Sequence, residues 1–369
     1  MAKATRKQKQ VLTDSSIRFL KKYINNASPV GFESGGQKLW LEYLRPYVDT
    51  HFSDPYGTAV GVINPNAPFK VVIEAHADEI SWFVNYITND GLLYLKRNGG
   101  VDHQIAPAQR VFIHGKKGPV PAVFGWPAIH TRLGNTDAKE QQPKVDNLFL
   151  DCGARNKKEI EALGIHIGAV ITYQDGFAEM AHDYYIGRAF DNRIGGFMIA
   201  ETARLLKENK KKLPYGLYIV NAVQEEVGLR GAEMIARRIK PNIAIITDVT
   251  HDTSTPMINK IIEGDISCGK GPSLAYGPAV HNKLLDIVQE VAVKAKIPVQ
   301  LRAVSRSTGT DTDSFAYAND GCPSVLISIP LRYMHTTVEM LHRSDIDATI
   351  QLMYETLLTL SPKSNLNYL

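Results

Sequence analysis

Two adjacent carboxylates, Glu225 and Glu226, follow the apolar run 217–223 and precede the glycine-bounded segment Val227-Gly228-Leu229-Arg230-Gly231. The run before them reads as a buried strand, and 232–239 has the spacing of a helix. The pair therefore falls where open α/β sheets place their ligands, in the crevice beyond the carboxyl ends of the strands. Successive strand residues point to opposite sides, so one carboxylate can bind a metal while its neighbour handles a proton. An isolated Glu-Glu is more often a solvated loop pair, so the case for chemistry depends on what shares its location. Those residues are His76 and Asp78 after a strand at 70–75, Asp191 ahead of a helix, Asp248 after a strand at 243–247, and His335 after a strand at 324–329. Alone, each reads as a structural histidine or a cap. Together, two histidines and three carboxylates are the donor set of a dinuclear zinc or cobalt hydrolase, one carboxylate bridging metals roughly 3.5–4 Å apart. Cysteine is missing from the set, which fits a catalytic site better than a structural one. Asp78, two residues beyond His76, points the same way and can accept the other imidazole N–H.

Such positions need a scaffold. Asp14 and Ser15 can cap a helix with Ile17, Leu20 and Ile24 on one face, and Leu39, Trp40, Tyr43 and Leu44 mark a second helix ending at Pro46. Strands at 58–63 and 70–75 are joined by Asn64-Pro65-Asn66-Ala67-Pro68, where proline fixes φ and asparagine tolerates the left-handed region. From 81 to 183 the texture changes to short apolar segments such as 110–114 and 169–173, interrupted by Gly and Pro. That stretch also holds one short helix, 157–163, and a polar segment, 131–144, that reads as a mobile loop. A βα alternation resumes after 191: helix 193–207, strand 217–223, helix 232–239, strand 243–247, helix 282–295, strands 299–304 and 324–329, and a closing helix 344–360. The predicted fold class is α/β: a mixed sheet with flanking helices over 1–80 and 184–369, interrupted by a small, barrel-like β-rich domain over 81–183.

At 369 residues the chain is long for one core, and its 44% hydrophobic content suits a globular protein. A net charge of +4, with lysines clustered only at 116–117, 157–158 and 210–212, argues against nucleic acid as the main partner. The basic first ten residues lead into no apolar h-region and no run approaches a membrane span, so neither secretion nor membrane anchoring is expected. Cys152, Cys268 and Cys322 are odd in number and form no C-x-x-C pair. They read as reduced thiols of a cytoplasmic protein.

Five segments, in order, resemble the tetrahedral (TET) aminopeptidases, also called glutamyl or deblocking aminopeptidases, of the dinuclear zinc exopeptidase clan. They are Glu74-Ala75-His76-Ala77-Asp78-Glu79-Ile80, Arg188-Ala189-Phe190-Asp191-Asn192-Arg193, Glu225-Glu226-Val227-Gly228-Leu229-Arg230-Gly231-Ala232, Asp248-Val249-Thr250-His251 and Leu331-Arg332-Tyr333-Met334-His335-Thr336-Thr337-Val338-Glu339-Met340. The resemblance implies that Asp191 bridges two metals, His76 and Asp248 complete one position, Glu226 and His335 complete the other, Glu225 is the general base and Asp78 orients His76. It also implies that the insertion is an oligomerisation domain of a hollow, commonly dodecameric particle that trims peptides. The stretch 305–313 is similar to the family's Gly-Thr-Asp loop near the substrate; read from its residues alone, it is equally a solvated loop before a helix.

Two such metals would lower the pKa of a shared water toward roughly 7. Glu225 would take its proton and return it to the leaving amine, and a free substrate N-terminus would make the enzyme an exopeptidase acting on peptides. Zinc is favoured by availability and affinity order, with cobalt as the alternative ion. A carboxypeptidase or N-deacylase would need the same donors; a two-carboxylate glycosidase would need no histidines, and a non-enzymatic assembly protein would have no use for Glu225. Finally, Phe112, Val123, Phe124, Trp126, Leu148, Phe149 and Leu150 give the insertion more apolar side chain than a domain of its size need bury alone. Subunit contacts through the insertion and a closed, symmetric homo-oligomer are therefore expected.

Overall fold

The computed structural model describes residues 11–132 and 142–369. The first ten residues and most of the polar segment 131–144 lie outside them. Strands β1 (Thr50–Ser53), β2 (Ala59–Ile63) and β3 (Lys70–His76) open the chain's main sheet. Next come β4 (Ser81–Ile87), β5 (Leu92–Asn98), β6 (Arg110–Gly115), β7 (Gly118–Gly125), β8 (Phe149–Asp151) and β9 (Val170–Tyr173), which close into a barrel. After β10 (Ala178–Glu179) and β11 (Tyr184–Gly187), the main sheet resumes with β12 (Gly216–Ala222), β13 (Ile243–His251), β14 (Ser273–Tyr276), β15 (Gln300–Ala303) and β16 (Ser324–Leu331). A last strand, β17 (Glu339–His342), joins β10 and β11 in a small separate sheet.

Among the described residues the main sheet has eight strands in the order β1-β2-β12-β3-β13-β16-β14-β15. Its centre, β12-β3-β13-β16, is parallel, and β13 and β16 are buried almost end to end. A parallel strand covered on both faces reads as a continuous apolar run, which is why these strands are visible in the sequence. Helices Phe190–Glu208, Asp14–Asn25, Ser34–Leu44 and Arg343–Thr359 pack together beside the sheet, and Arg230–Ile239 with Thr312–Ala316 form a second group. The first helix is capped by Thr13, not Asp14 or Ser15, through a reciprocal capping box with Ser16.

The fold is thus the expected mixed α/β sheet with an inserted barrel. Three further details differ from the sequence reading. The strand at 243–247 runs on to His251, so Asp248 sits inside β13 and not beyond it. The turn at 269–272 leads into β14, an additional strand hidden by its brevity. Lastly, the apolar surplus assigned to the insertion is largely the barrel's own core: Phe124, Leu148 and Leu150 are buried there, and Trp126 packs against it. Of the seven residues invoked, only Val123 is an exposed large apolar side chain. The return segment from Gln174 leaves the barrel for the main body, where Phe177 packs on the principal core and its N–H donates to Asn25 Oδ1 at 2.8 Å.

Candidate active site

β3 delivers His76 at its last residue, and β13, its parallel neighbour, carries Asp248. Asp191 arrives from a different direction, after β11 of the small sheet and at the start of helix Phe190–Glu208. His335 lies in the connection between β16 and β17 with φ of 62°. Glu225 and Glu226 are not on the strand: β12 ends at Ala222, Gln224 takes the left-handed region (φ 58°), and both carboxylates occupy a single 3-10 turn, Glu225–Val227. Strand alternation therefore does not separate their directions; the turn does. Gly231 closes it at short range, since a Cβ there would lie 2.3 Å from the Val223 carbonyl oxygen.

All seven predicted residues converge. His76 Nε2 is 3.2 Å from Asp191 Oδ1, 3.7 Å from Glu225 Oε2 and 3.9 Å from Asp248 Oδ1. On the other side, His335 Nε2 is 3.1 Å from Asp191 Oδ2 and 3.3 Å from Glu226 Oε1. Asp191 thus turns one oxygen to each histidine. Three overlapping donor sets, His76/Asp191/Asp248, His76/Glu225/Glu226 and Asp191/Glu226/His335, each have ligand atoms within 4.8 Å of one another. Asp78 lies 3.4 Å from His76 Nδ1, and its two oxygens accept the backbone N–H groups of Glu225 (3.0 Å) and Glu226 (3.1 Å).

Residues 57–352, which span every one of these positions, match the M42 glutamyl aminopeptidase family. The chain belongs to that family. Lysyl aminopeptidase of Pyrococcus furiosus is 34% identical to it over 346 residues, 93% of this chain and 97% of the relative. The TET aminopeptidase from the marine sediment archaeon Thaumarchaeota archaeon SCGC AB-539-E09 superposes with a TM-score of 0.90 at 30% identity, covering 95% of this chain and 98% of that one. A Pyrococcus horikoshii TET1 peptidase, which can assemble into a tetrahedron or a large octahedral shell, shares the fold with a TM-score of 0.82 at 24% identity, over 94% and 100% of the two chains. This M42 protein is an aminopeptidase, a hydrolase of peptide bonds.

Electrostatics inside the aminopeptidase cluster follow from burying several carboxylates beside two imidazoles. Burial pushes Glu225 up to about 10, with Asp248, Asp311 and Glu226 adding to the shift and His76 opposing it. Asp248 is pushed up to about 7 by burial and by Asp191, again opposed by His76. Burial alone would lower His335, but its bonds to Asp191 and Glu226 carry it up to about 11. Asp191 moves the other way: burial would raise it, and the two histidines hold it well below the ordinary carboxylate range. A divalent cation among these groups would be the largest local charge and would draw all of the carboxylates toward their ionised forms.

Sequence reasoning assigned no role to Glu339 or Gly100 and left the stretch 305–313 between two readings. Glu339 accepts the backbone N–H of Asp191 at Oε2 (3.1 Å) and of His335 at Oε1 (2.9 Å); its only signal was its place in the segment 331–340. Gly100, in the loop after β5 of the barrel, offers its carbonyl to His335 Nδ1 at 3.2 Å, which leaves Nε2 facing the carboxylates. No local pattern ties a barrel glycine to a histidine more than 200 residues later. Within 305–313, Thr310, Asp311 and Thr312 are buried, so the solvated-loop alternative fails there. Asp311 lies beside Glu74, and burial raises both carboxyls, Glu74 to about 8.

Proposed function

We propose that this aminopeptidase removes N-terminal residues from peptides with a free amine, using two divalent metal ions held by His76, Asp191, Asp248, Glu226 and His335. The observation that carries the reading is Asp191, whose two oxygens address two different histidines. The surrounding donors fit dications: they are imidazole nitrogens and carboxylate oxygens, the ligands hard and borderline metals take, and the buried Glu226 Oε1 converges with Asp191 Oδ2 on His335 Nε2. In this assignment Asp191 would serve both positions, His76 and Asp248 would complete the inner one, and Glu226 and His335 would complete the outer one. Zinc is the ion we assign, with cobalt as substitute. The metals would polarise the scissile carbonyl and make water acidic enough to attack near neutral pH.

The remaining work falls to the chain itself. Glu225, whose Oε2 is 3.7 Å from His76 Nε2, borders the cluster and serves as the general base that accepts a proton from water and passes it to the departing amine. Asp78 holds the backbone of Glu225 and Glu226 and faces the far nitrogen of His76, so one buried carboxylate orients both the base and a ligand. We further assign the chain to 1–80 plus 184–369 as catalytic body and 81–183 as insertion, and infer a closed homo-oligomer, with a dodecamer favoured by analogy. Exposed apolar side chains on both parts support assembly: Tyr86, Ile129 and Ile167 in the insertion, and Met257 and Ile261 in the catalytic body. Three free cysteines, and no helix among the described residues long and apolar enough to cross a membrane, support a cytoplasmic location.

One experiment tests the core of this reading. Purified enzyme is stripped with chelator, reloaded with zinc or cobalt, and assayed on free-amine, N-acylated and C-terminally presented peptides, with metal content and particle mass measured alongside. Activity on free-amine substrates should vanish and return with two ions per chain. Full activity with no metal bound, or a preference for acylated substrates, would overturn it.

A further inference from the structure

Glu339 is the first residue of β17, opposite Gly187 of β11, and is almost wholly buried. No Lys or Arg pairs with it among the described residues; its two oxygens are taken by two backbone N–H groups, those of Asp191 and His335. A buried carboxylate without a cationic side chain is an expensive way to satisfy two amides, because the ion loses its hydration. The site it backs explains why a carboxyl group with two acceptor oxygens stands there. Asp191 follows β11 and His335 follows β16, so the two residues reach the cluster from unrelated segments. A planar carboxylate accepting from both fixes how far apart their backbones sit, and Asp191 Oδ2 to His335 Nε2 is the 3.1 Å contact that depends on it. The held loop is also unusual: Tyr333 and His335 both take positive φ, 58° and 62°, which L residues adopt only when the surroundings impose it. The same device appears on the other side of the cluster, where Asp78 takes the N–H groups of Glu225 and Glu226 with one oxygen each.

We propose that Glu339 is a positioning residue that fixes the separation of Asp191 and His335 and thereby sets the affinity of the outer metal position; this rests on the two-metal reading above. Glutamine at 339 would keep the shape but present an NH2 group to one of the two N–H donors, so only one of the two backbones stays held. Loss of an outer hydrogen bond to a ligand costs roughly 10- to 100-fold in metal affinity. The inner position shares Asp191 with the outer one but takes its other donors, His76 and Asp248, from adjacent strands to which Glu339 makes no hydrogen bond among the described residues, so its affinity should fall less.

The test uses full-length protein, wild type, Glu339→Gln and Glu339→Asp, each stripped and titrated with zinc against a competing chelator. Circular dichroism and thermal unfolding of the metal-free proteins establish that each variant is folded. In a folded Glu339→Gln, one of two dissociation constants should rise roughly 10- to 100-fold while the other rises distinctly less, and excess zinc should restore kcat far more than it does in a Glu225→Gln control. Glu339→Asp retains the two oxygens on a shorter arm and should give the same split if the Gln variant does not fold. Two unchanged constants, or two raised equally, would overturn the proposal. Failure of the wild type to bind two ions would instead overturn the two-metal reading, so the two failures are distinguishable.

Discussion

The inner and outer halves of the candidate metal site are built by different means. His76 and Asp248, with side chains 2% and 6% exposed, are carried on neighbouring parallel strands whose register is set by a continuous apolar core. His335, 32% exposed, and Glu226 stand on turns, and their backbones are held by Glu339 and Asp78. Depth is therefore secured by hydrophobic burial and strand pairing, whereas the outer half is secured by a few buried hydrogen bonds and one contact from the barrel. Ligands on rigid elements are placed more precisely than ligands on loops. The outer ion should consequently be the exchangeable one.

Glu225, between the halves, gives the largest expected effect. Glu225→Gln should lower kcat by roughly 10²–10⁴-fold while both ions remain, because the proton acceptor is lost and no ligand is. A variant that sheds a metal would place Glu225 among the ligands and break the division. Next comes Glu226→Gln, expected to leave the inner ion bound and weaken the outer one by at least about 10-fold, a loss of the order that removing even an outer-layer partner brings. Equal loss of both ions would show that the halves are a single cooperative unit. Gly100→Ala tests the barrel's contribution: a Cβ would come within 2.9 Å of His335 Nδ1. Its outer-site affinity should fall by no more than about 10-fold, and an unchanged value would remove the barrel from the site.

The smallest effect is on acid stability. Arg332, at the base of the His335 loop, donates to Asp252 Oδ2 at 2.7 Å and so ties that loop to the segment leaving β13. Burial would raise Asp252, but bonds from Ser254 and Arg332 hold it down at about 2. A carboxyl lowered on folding stabilises the native state above its unfolded value of about 3.9, and that contribution fades as pH falls from there through about 2. Thermal unfolding measured across that window should be less pH-dependent in Asp252→Asn than in the wild type. Parallel curves would mean that the tie carries no weight.

Much of the fold was legible because parallel central strands leave uninterrupted apolar runs: 70–75, 217–223 and 324–329 each lie within two residues of an observed strand's ends. Boundaries went astray where polar residues entered the strand, as at Asp248 in β13, since burial on both faces removes the period that marks a strand end. The barrel's apolar residues were misjudged for a related reason. A closed barrel buries an interior that open-sheet bookkeeping counts as surplus.

The candidate inventory came from sequence alone: residue type and position near strand ends single out the candidate donors His76, Asp191, Glu226, Asp248 and His335, and the candidate base Glu225, without any coordinate. What tertiary structure decided is how they face one another. Left-handed backbone at Gln224 and His335 re-aims side chains in ways no periodicity encodes. The carboxylate of Glu339 becomes part of the site only because β11 and β17, more than 150 residues apart, are paired. Short-range propensity fixes which residues are in strands and turns, while the contacts that hold Asp191 to His335 come from chain segments whose proximity exists only once the core has formed.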